Sequence, residues 1–147
     1  MDNAEPSTNG ISARNLDRLA ALLEDETYRT QARQTCDAFE AEVMQHPFLF
    51  ASMMDSVVLG RLGIKSIVVC GAGERVEEWL RKARGRVGGM GMVARIGSGS
   101  KSEWLRKRNV LVASMDKEKQ GVMICDAGMC REELDMGDVE RALRDVT

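Results

Sequence analysis

Between Gly60 and Lys65 the hydrophobic period of the chain changes, and that change limits what the 147 residues can build. Before it, apolar residues recur at helical spacing. Leu16, Leu19, Ala20 and Leu23 stand at i, i+3, i+4 and i+7, one face of a helix, and the capping types Ser7 and Thr8 precede them. This predicts a helix over 7–24 with the leucines inward. Tyr28, Ala32, Thr35, Cys36, Phe39 and Val43 keep the same spacing and predict one unbroken helix over 26–45. The short joint at Glu24–Thr27 makes the two antiparallel neighbours. Pro47 suits the first turn of a third helix, where its missing N–H is not needed. Phe50, Met54, Val57 and Val58 form that helix's expected buried stripe, and Gly60 and Gly63 end it.

After the change, Lys65–Gly71 is a β-branched run closed by glycine and reads as a buried strand. Glu74–Arg84 reads as a helix with Val76, Trp79, Leu80 and Ala83 inward. Met90–Ile96 and Gly121–Cys125 read as further strands. Ser102–Arg108 reads as a short helix, and Gly137–Val146 as a closing helix with Val139, Ala142, Leu143 and Val146 inward. In Asn109–Gln120 the signals conflict: Val110–Val112 favours a strand, and the charged stretch after it favours a loop. The expected class is α+β. Residues 1–63 form two or three antiparallel helices. Residues 64–147 form a small, mostly parallel sheet with covering helices.

Apolar residues make up 44% of the chain and charged residues 30%, a balance that supports a core and excludes disorder throughout. No apolar run approaches the ~20 residues of a membrane span. Met1–Gly10 is polar and acidic, so no secretory signal opens the sequence. The single His46 excludes a multi-histidine metal centre. Cys36 and Cys70 lie in apolar stretches, where cysteine packs as a small hydrophobe. Cys125 and Cys130 form a C-x4-C pair, half of a zinc site with no second pair at ligand spacing. Free thiols in a reducing, intracellular setting, the cytoplasm, are the expectation. No metal or cofactor is implied.

Charge is distributed unevenly. Residues 1–60 hold four Arg against ten Asp/Glu, a net −6; residues 61–108 hold twelve Lys/Arg against four Glu, a net +8; residues 109–147 return to −4. A basic segment can serve a phosphate or nucleic-acid partner. Such binding wants exposed aromatics for stacking. Periodicity instead places both Trp79 and Trp104 on buried faces, so nucleic acid is not the expected partner. Glu78-Trp79-Leu80-Arg81-Lys82 recurs as Glu103-Trp104-Leu105-Arg106-Lys107, which reads as two amphipathic turns with Trp-Leu inside and Arg-Lys outside.

Gly71-Ala72-Gly73 stands between strand and helix, the setting of a dinucleotide or phosphate loop. Position 76, where a third glycine would fall, is Val, and no Gly-Lys-Ser/Thr follows; a tight strand-to-helix turn is the plainer reading. The glycine-rich stretches Gly88–Gly91 and Gly97–Ser100 read as flexible joints. Glu5, Ser7 and Asn9 cluster at the first helix's start, where a polar N-terminus can hold an anion or a sugar hydroxyl, or simply cap the helix.

Three landmarks in order resemble a known family. Glu5-Pro6-Ser7-Thr8-Asn9 runs into Asn15-Leu16 and Arg18-Leu19; Ile67-Val68-Val69 precedes Gly71; Val122–Cys125 runs on to Cys130. Together, over residues 5–146, they resemble the C-terminal end of the spermatogenesis-associated protein 20 family, the thioredoxin-domain-containing YyaL-like proteins. The resemblance implies the last helices of an (α/α)6 toroid of the six-hairpin-glycosidase type, then a small α/β appendage. The thioredoxin-like domain and most of the toroid have no counterpart. It therefore implies a non-catalytic remnant or split piece that acts by association, with itself or with the missing domains. Helices of a toroid bury two faces, and an isolated arc leaves apolar surface uncovered. The alternatives are a carbohydrate-active or redox enzyme inheriting family chemistry, and a phosphate or nucleic-acid binder using residues 61–108. The resemblance places Glu5, Ser7 and Asn9 on the toroid cavity as ligand-binding candidates, and makes Cys125 and Cys130 a redox-sensitive pair.

Overall fold

The structure, a computed structural model, describes residues 1–2, 5–89, 91–97, 100–116, 119–126, 129–133 and 135–144. It is α+β and divides into two compact units, Met1–Ile64 and Lys65–Thr147.

The first unit is helical: α1 (Thr8–Leu23), α2 (Glu26–Asp37), α3 (Glu40–Gln45), a 3-10 turn (Pro47–Phe50) and α4 (Ala51–Leu62). Ser7 caps α1, its side chain accepting from the Gly10 amide at 3.2 Å, and Asp25 caps α2 through the Thr27 amide at 2.9 Å. Gly63, at φ 78°, ends α4. The stretch 26–45 is two helices rather than one. Phe39 leaves helical geometry at φ −121°, ψ 14°, and its ring sits 6.1 Å from that of Phe50. The aromatic contact is made at the break in the periodic run.

The buried face of α1 also differs from the leucine stripe. Gly10, Ala13, Asp17 and Ala20 are buried, whereas Leu16 and Leu23 are half-buried and Leu19 is 38% exposed. The reason is close approach. A Cβ on Gly10 would overlap Ser52 of α4, so the small residues bring the helix axes together and leave the leucines on the flank. In α4 the buried positions are Met53, Ser56 and Leu59, while Met54, Val57 and Val58 are half-buried.

The second unit is built on a four-stranded sheet of order β2-β1-β3-β4: β1 (Ser66–Cys70), β2 (Met92–Ile96), β3 (Gly121–Asp126) and β4 (Met129–Glu133). The sheet is mixed, not mostly parallel. β1 pairs with β2 in parallel, but β3 pairs antiparallel with both β1 and β4. Strand alternation divides β1 cleanly. Ile67 and Val69 face a cluster with Val76, Trp79, Leu80 and Ala83 of α5 (Glu74–Val87) and Val139 and Ala142 of α8 (Met136–Arg144). Val68 and Cys70 face Ile96, Met123, Val112 and Met115 on the other side. That side is covered by α6 (Ser100–Arg106) and α7 (Val110–Ser114), the latter a short helix where a strand competed with a loop.

Gly91 is no flexible joint. It is buried, and a Cβ there would overlap Val87 and stand 2.8 Å from the Lys65 carbonyl, so only glycine fits this turn into β2. Met90, Ser98, Gly99 and Val146 lie outside the described residues. Among the described residues no helix is long and apolar enough to cross a membrane.

Candidate functional site

At the start of α1 the chain supplies its own anion. Asp2 Oδ1 accepts from the Ser7 amide at 2.7 Å and the Ser52 hydroxyl at 2.6 Å, and Oδ2 accepts from the Ser52 amide at 2.7 Å. Ser7 caps α1 and Ser52 lies in the first turn of α4, so one carboxylate serves two helix N-termini. Burial alone would raise the Asp2 carboxyl, but the Ser52 hydroxyl, the Ser52 amide and the Ser7 amide outweigh it and hold it at about 2. Of the sequence candidates, Ser7 is therefore engaged by Asp2, Ser52 and Gly10. Glu5 and Asn9 are exposed. The three are neighbours in the chain but line no shared cleft with the buried acid described next.

A cleft of about 390 Å³ opens among the helices of the same unit. Asp17 of α1, Arg29, Arg33 and Cys36 of α2, Val43 and Met44 of α3, and Ser56, Val57 and Arg61 of α4 line it. Asp17 is 7% exposed and its Oδ2 is buried without a hydrogen-bond partner; the buried Ser56 Oγ is likewise without one. Burial raises the Asp17 carboxyl, and the adjacent Ser56 hydroxyl and the Arg29 charge only partly offset this. The hydroxyl stands near enough to act on the carboxyl but outside full bonding geometry. Burial, then the charges of Asp17 and Asp37, push the Cys36 thiol up, so it is a poor nucleophile at neutral pH. Arg29 pairs with Glu26 at 2.7 Å and Arg33 with Asp37 at 3.9 Å.

In the α/β unit the Gly71-Ala72-Gly73 turn is filled by the chain itself. Gly71 and Gly73 take φ 114° and 105°. Gln120 Nε2 donates to the Ala72 carbonyl at 2.7 Å, and Arg95 Nε donates to the Gly71 carbonyl at 3.2 Å while Arg95 Nη1 pairs with Glu77. The φ of 114° is what requires glycine at Gly71, and a Cβ there would also stand 2.9 Å from Gln120 Cγ.

The repeated Trp-Leu-Arg-Lys turn is inverted in its second copy. Trp79 is buried, but Trp104 is 53% exposed with the Arg108 guanidinium 4.4 Å from its ring centre. Arg106 is the buried member. It donates to the Val112 and Met115 carbonyls at 2.8 Å and approaches Cys70 Sγ at 3.8 Å. The last carbonyls of the short α7 lack helical partners, and a guanidinium reaches them from α6. Burial raises the Cys70 thiol against the counteracting Arg106 charge.

Cys125 and Cys130 are directly opposed on β3 and β4 and form a disulfide, so the expectation of free thiols fails for this pair and stands for Cys36 and Cys70. The register explains it: a C-x4-C spacing on two tightly connected antiparallel strands places the Cβ atoms face to face.

No family model, curated protein or solved structure matches the chain.

Asp17 was not legible as a site residue. It sits between Leu16 and Leu19 at a position that amphipathicity gives to a flank, and only the close packing of Gly10 on Ser52 turns it inward.

Proposed function

We propose that the chain is a non-catalytic association module, the terminal piece of a toroid-type protein of the spermatogenesis-associated protein 20 kind. The helical unit does the docking, and in the isolated protein its occupant is a second copy of the same chain. The observation that carries this is the uncovered leucine flank of α1. Leu16, Leu19 and Leu23 have the spacing of a packed helix face yet are half-buried or exposed. Met44, Phe48 and Leu62 of the same unit are 78%, 74% and 70% exposed. Large apolar side chains left open at helical spacing are what a neighbouring helix would cover. The sugar-binding form of the inherited-enzyme alternative has less to work with, since Ser7 is committed to capping α1.

Sedimentation velocity over a range of chain concentrations tests the reading. A dimer or larger species at micromolar concentration is expected, shifting to monomer in Leu19→Ser. A monomer at every concentration that binds no apolar-surface dye contradicts it.

A second reading has one observation in its favour. Trp104 is exposed beside Arg108, which supplies the stacking aromatic that a basic nucleic-acid surface needs. Its signature is oligonucleotide affinity that falls steeply with salt and is lost in Trp104→Ala. No binding at low salt ends it.

A further inference from the structure

We propose that the cleft among α1, α2 and α4 binds a small molecule through a primary ammonium group on a short aliphatic stem, held at Asp17 and Ser56. The inference is independent of the association reading. It starts from two unmet polar atoms. Asp17 Oδ2 and Ser56 Oγ come from different helices, line the same cleft, and are both buried with no partner in full bonding geometry, the hydroxyl acting on the carboxyl without offsetting its burial. An unsatisfied buried polar group is costly, and native structures keep few of them. Two at the base of one cleft mark a place where a ligand supplies what the fold does not.

The chemistry of the walls selects the ligand. A carboxylate accepts only, and a hydroxyl can accept, so the missing partner is a donor with more than one N–H. A primary ammonium has three. A metal ion is a poorer fit. Hard cations want about six or more oxygen ligands, and among the described residues no cluster of three or more acids, cysteines or histidines stands ready. The arginines do not close the site to a cation. Arg29 pairs with Glu26 and Arg33 with Asp37, and although the Arg29 charge also acts on Asp17, the four acids Asp17, Glu26, Asp37 and Glu40 outnumber the three arginines on the lining. Val43, Met44 and Val57 give the cleft an apolar wall for methylene groups. Its 390 Å³ falls within the range of about 300–1,000 Å³ typical of small-molecule clefts. Arg61, exposed on the same wall, offers a place for a carboxylate at the ligand's other end.

Titration of the full chain with n-butylammonium chloride, followed by amide NMR shifts against a sodium chloride control, tests the site. Saturable binding is expected, with the largest shifts near Asp17 and Ser56. Asp17→Asn, which keeps the side chain's shape, should weaken it at least tenfold, and Ser56→Ala should weaken it as well. Tetramethylammonium, which has the charge but no N–H, should not bind. γ-Aminobutyrate distinguishes the sources: tighter binding than n-butylammonium points to an amino acid meeting Arg61, weaker binding to a simple amine, and either supports the ammonium site. The proposal is overturned if n-butylammonium does not saturate a wild-type chain of native circular dichroism. Equal binding by a folded Asp17→Asn chain, or equal binding of tetramethylammonium, overturns it too.

Discussion

The α/β unit, Lys65–Thr147, and the shorter helical unit, Met1–Ile64, build very different cores. Among the described residues, ten buried side chains pack on one face of the sheet and six on the other. The helical unit has a buried cluster of three, Val43, Phe50 and Met53, with half-buried Cys36, Phe39, Leu49 and Met54 against it. A sheet offers two faces to cover, and the sequence supplies a helix layer for each. In the helical unit, small residues and polar atoms occupy the closest contact, Gly10 on Ser52 and Asp17 near Ser56, while leucines stay on the flank. The difference teaches that an amphipathic pattern need not mark the face on which a helix makes its closest contacts. The α/β unit covers both faces of its sheet and leaves Trp104, Val110 and Met129 exposed. The other is held by caps, by the Asp2 carboxylate and by packing that leaves apolar surface open.

The largest effect should come from the core of the α/β unit. Trp79→Ala, deleting a fully buried ring between α5 and the sheet, is expected to cost about 3–5 kcal/mol in urea unfolding. A cost below about 1 kcal/mol would remove the contrast between the units.

The disulfide comes next. β4 is an edge strand exposed along most of its length, joined to the sheet by its ladder to β3 and by Cys125–Cys130. Chain entropy gives so short a loop about 2 kcal/mol at most. Reduction with dithiothreitol should speed amide exchange at Met129–Glu133 and leave β1 unchanged. Loss of β1 protection would mean that the sheet depends on the bond.

The two aspartates of the helical unit should give pH dependences of opposite sign. Asp2 is held at about 2 against an ordinary 3.8, so the folded state releases its proton more readily than the unfolded chain. Its stabilisation is present above pH 3.8 and is lost as pH falls toward 2. Discounted for partial exposure, it amounts to about 1–2 kcal/mol, and Asp2→Asn should abolish it. Asp17 is raised above 3.8 by burial, so the folded state holds its proton more tightly. Its charge destabilises the fold, and stability falls as pH rises from 3.8 through the raised value. Asp17→Asn should remove that slope while changing stability by less than about 1 kcal/mol. Urea unfolding from pH 2 to 7 separates the two. A wild-type slope of the same sign in both variants would contradict the geometry at one of them.

Much of the architecture was legible because it rests on local pattern. The β-branched run at Ile67–Val69 became the central strand, and Val76, Trp79, Leu80 and Ala83 became the buried face of α5. What was not legible depends on distance of approach. Counting apolar residues favours Leu16, Leu19 and Leu23, but Gly10 and Ala13 let α1 come closer on its other face. The same counting puts Trp104 inside and Arg106 outside, and the carbonyls of Val112 and Met115 reverse it. β4 carries no alternation at all, since Met129-Cys130-Arg131-Glu132 is exposed throughout. The sheet is mixed because β3 runs antiparallel to β1, whereas β2 runs parallel to it. The candidate site was least legible. Ser7 was named for a ligand and turned out to bind Asp2, while the buried Asp17 stood unmarked among leucines.

Native-state hydrogen exchange, recorded residue by residue at low and at high chain concentration, bears most directly on the contrast between the units. Amides of β1, β3 and α5 should exchange at one slow, concentration-independent rate. Those of α1 and α4 should exchange faster at low concentration and slow as the chain is concentrated and the leucine flank is covered. Helical amides as slow as those of β1 at low concentration, and unmoved by raising it, would show a helical unit complete in itself.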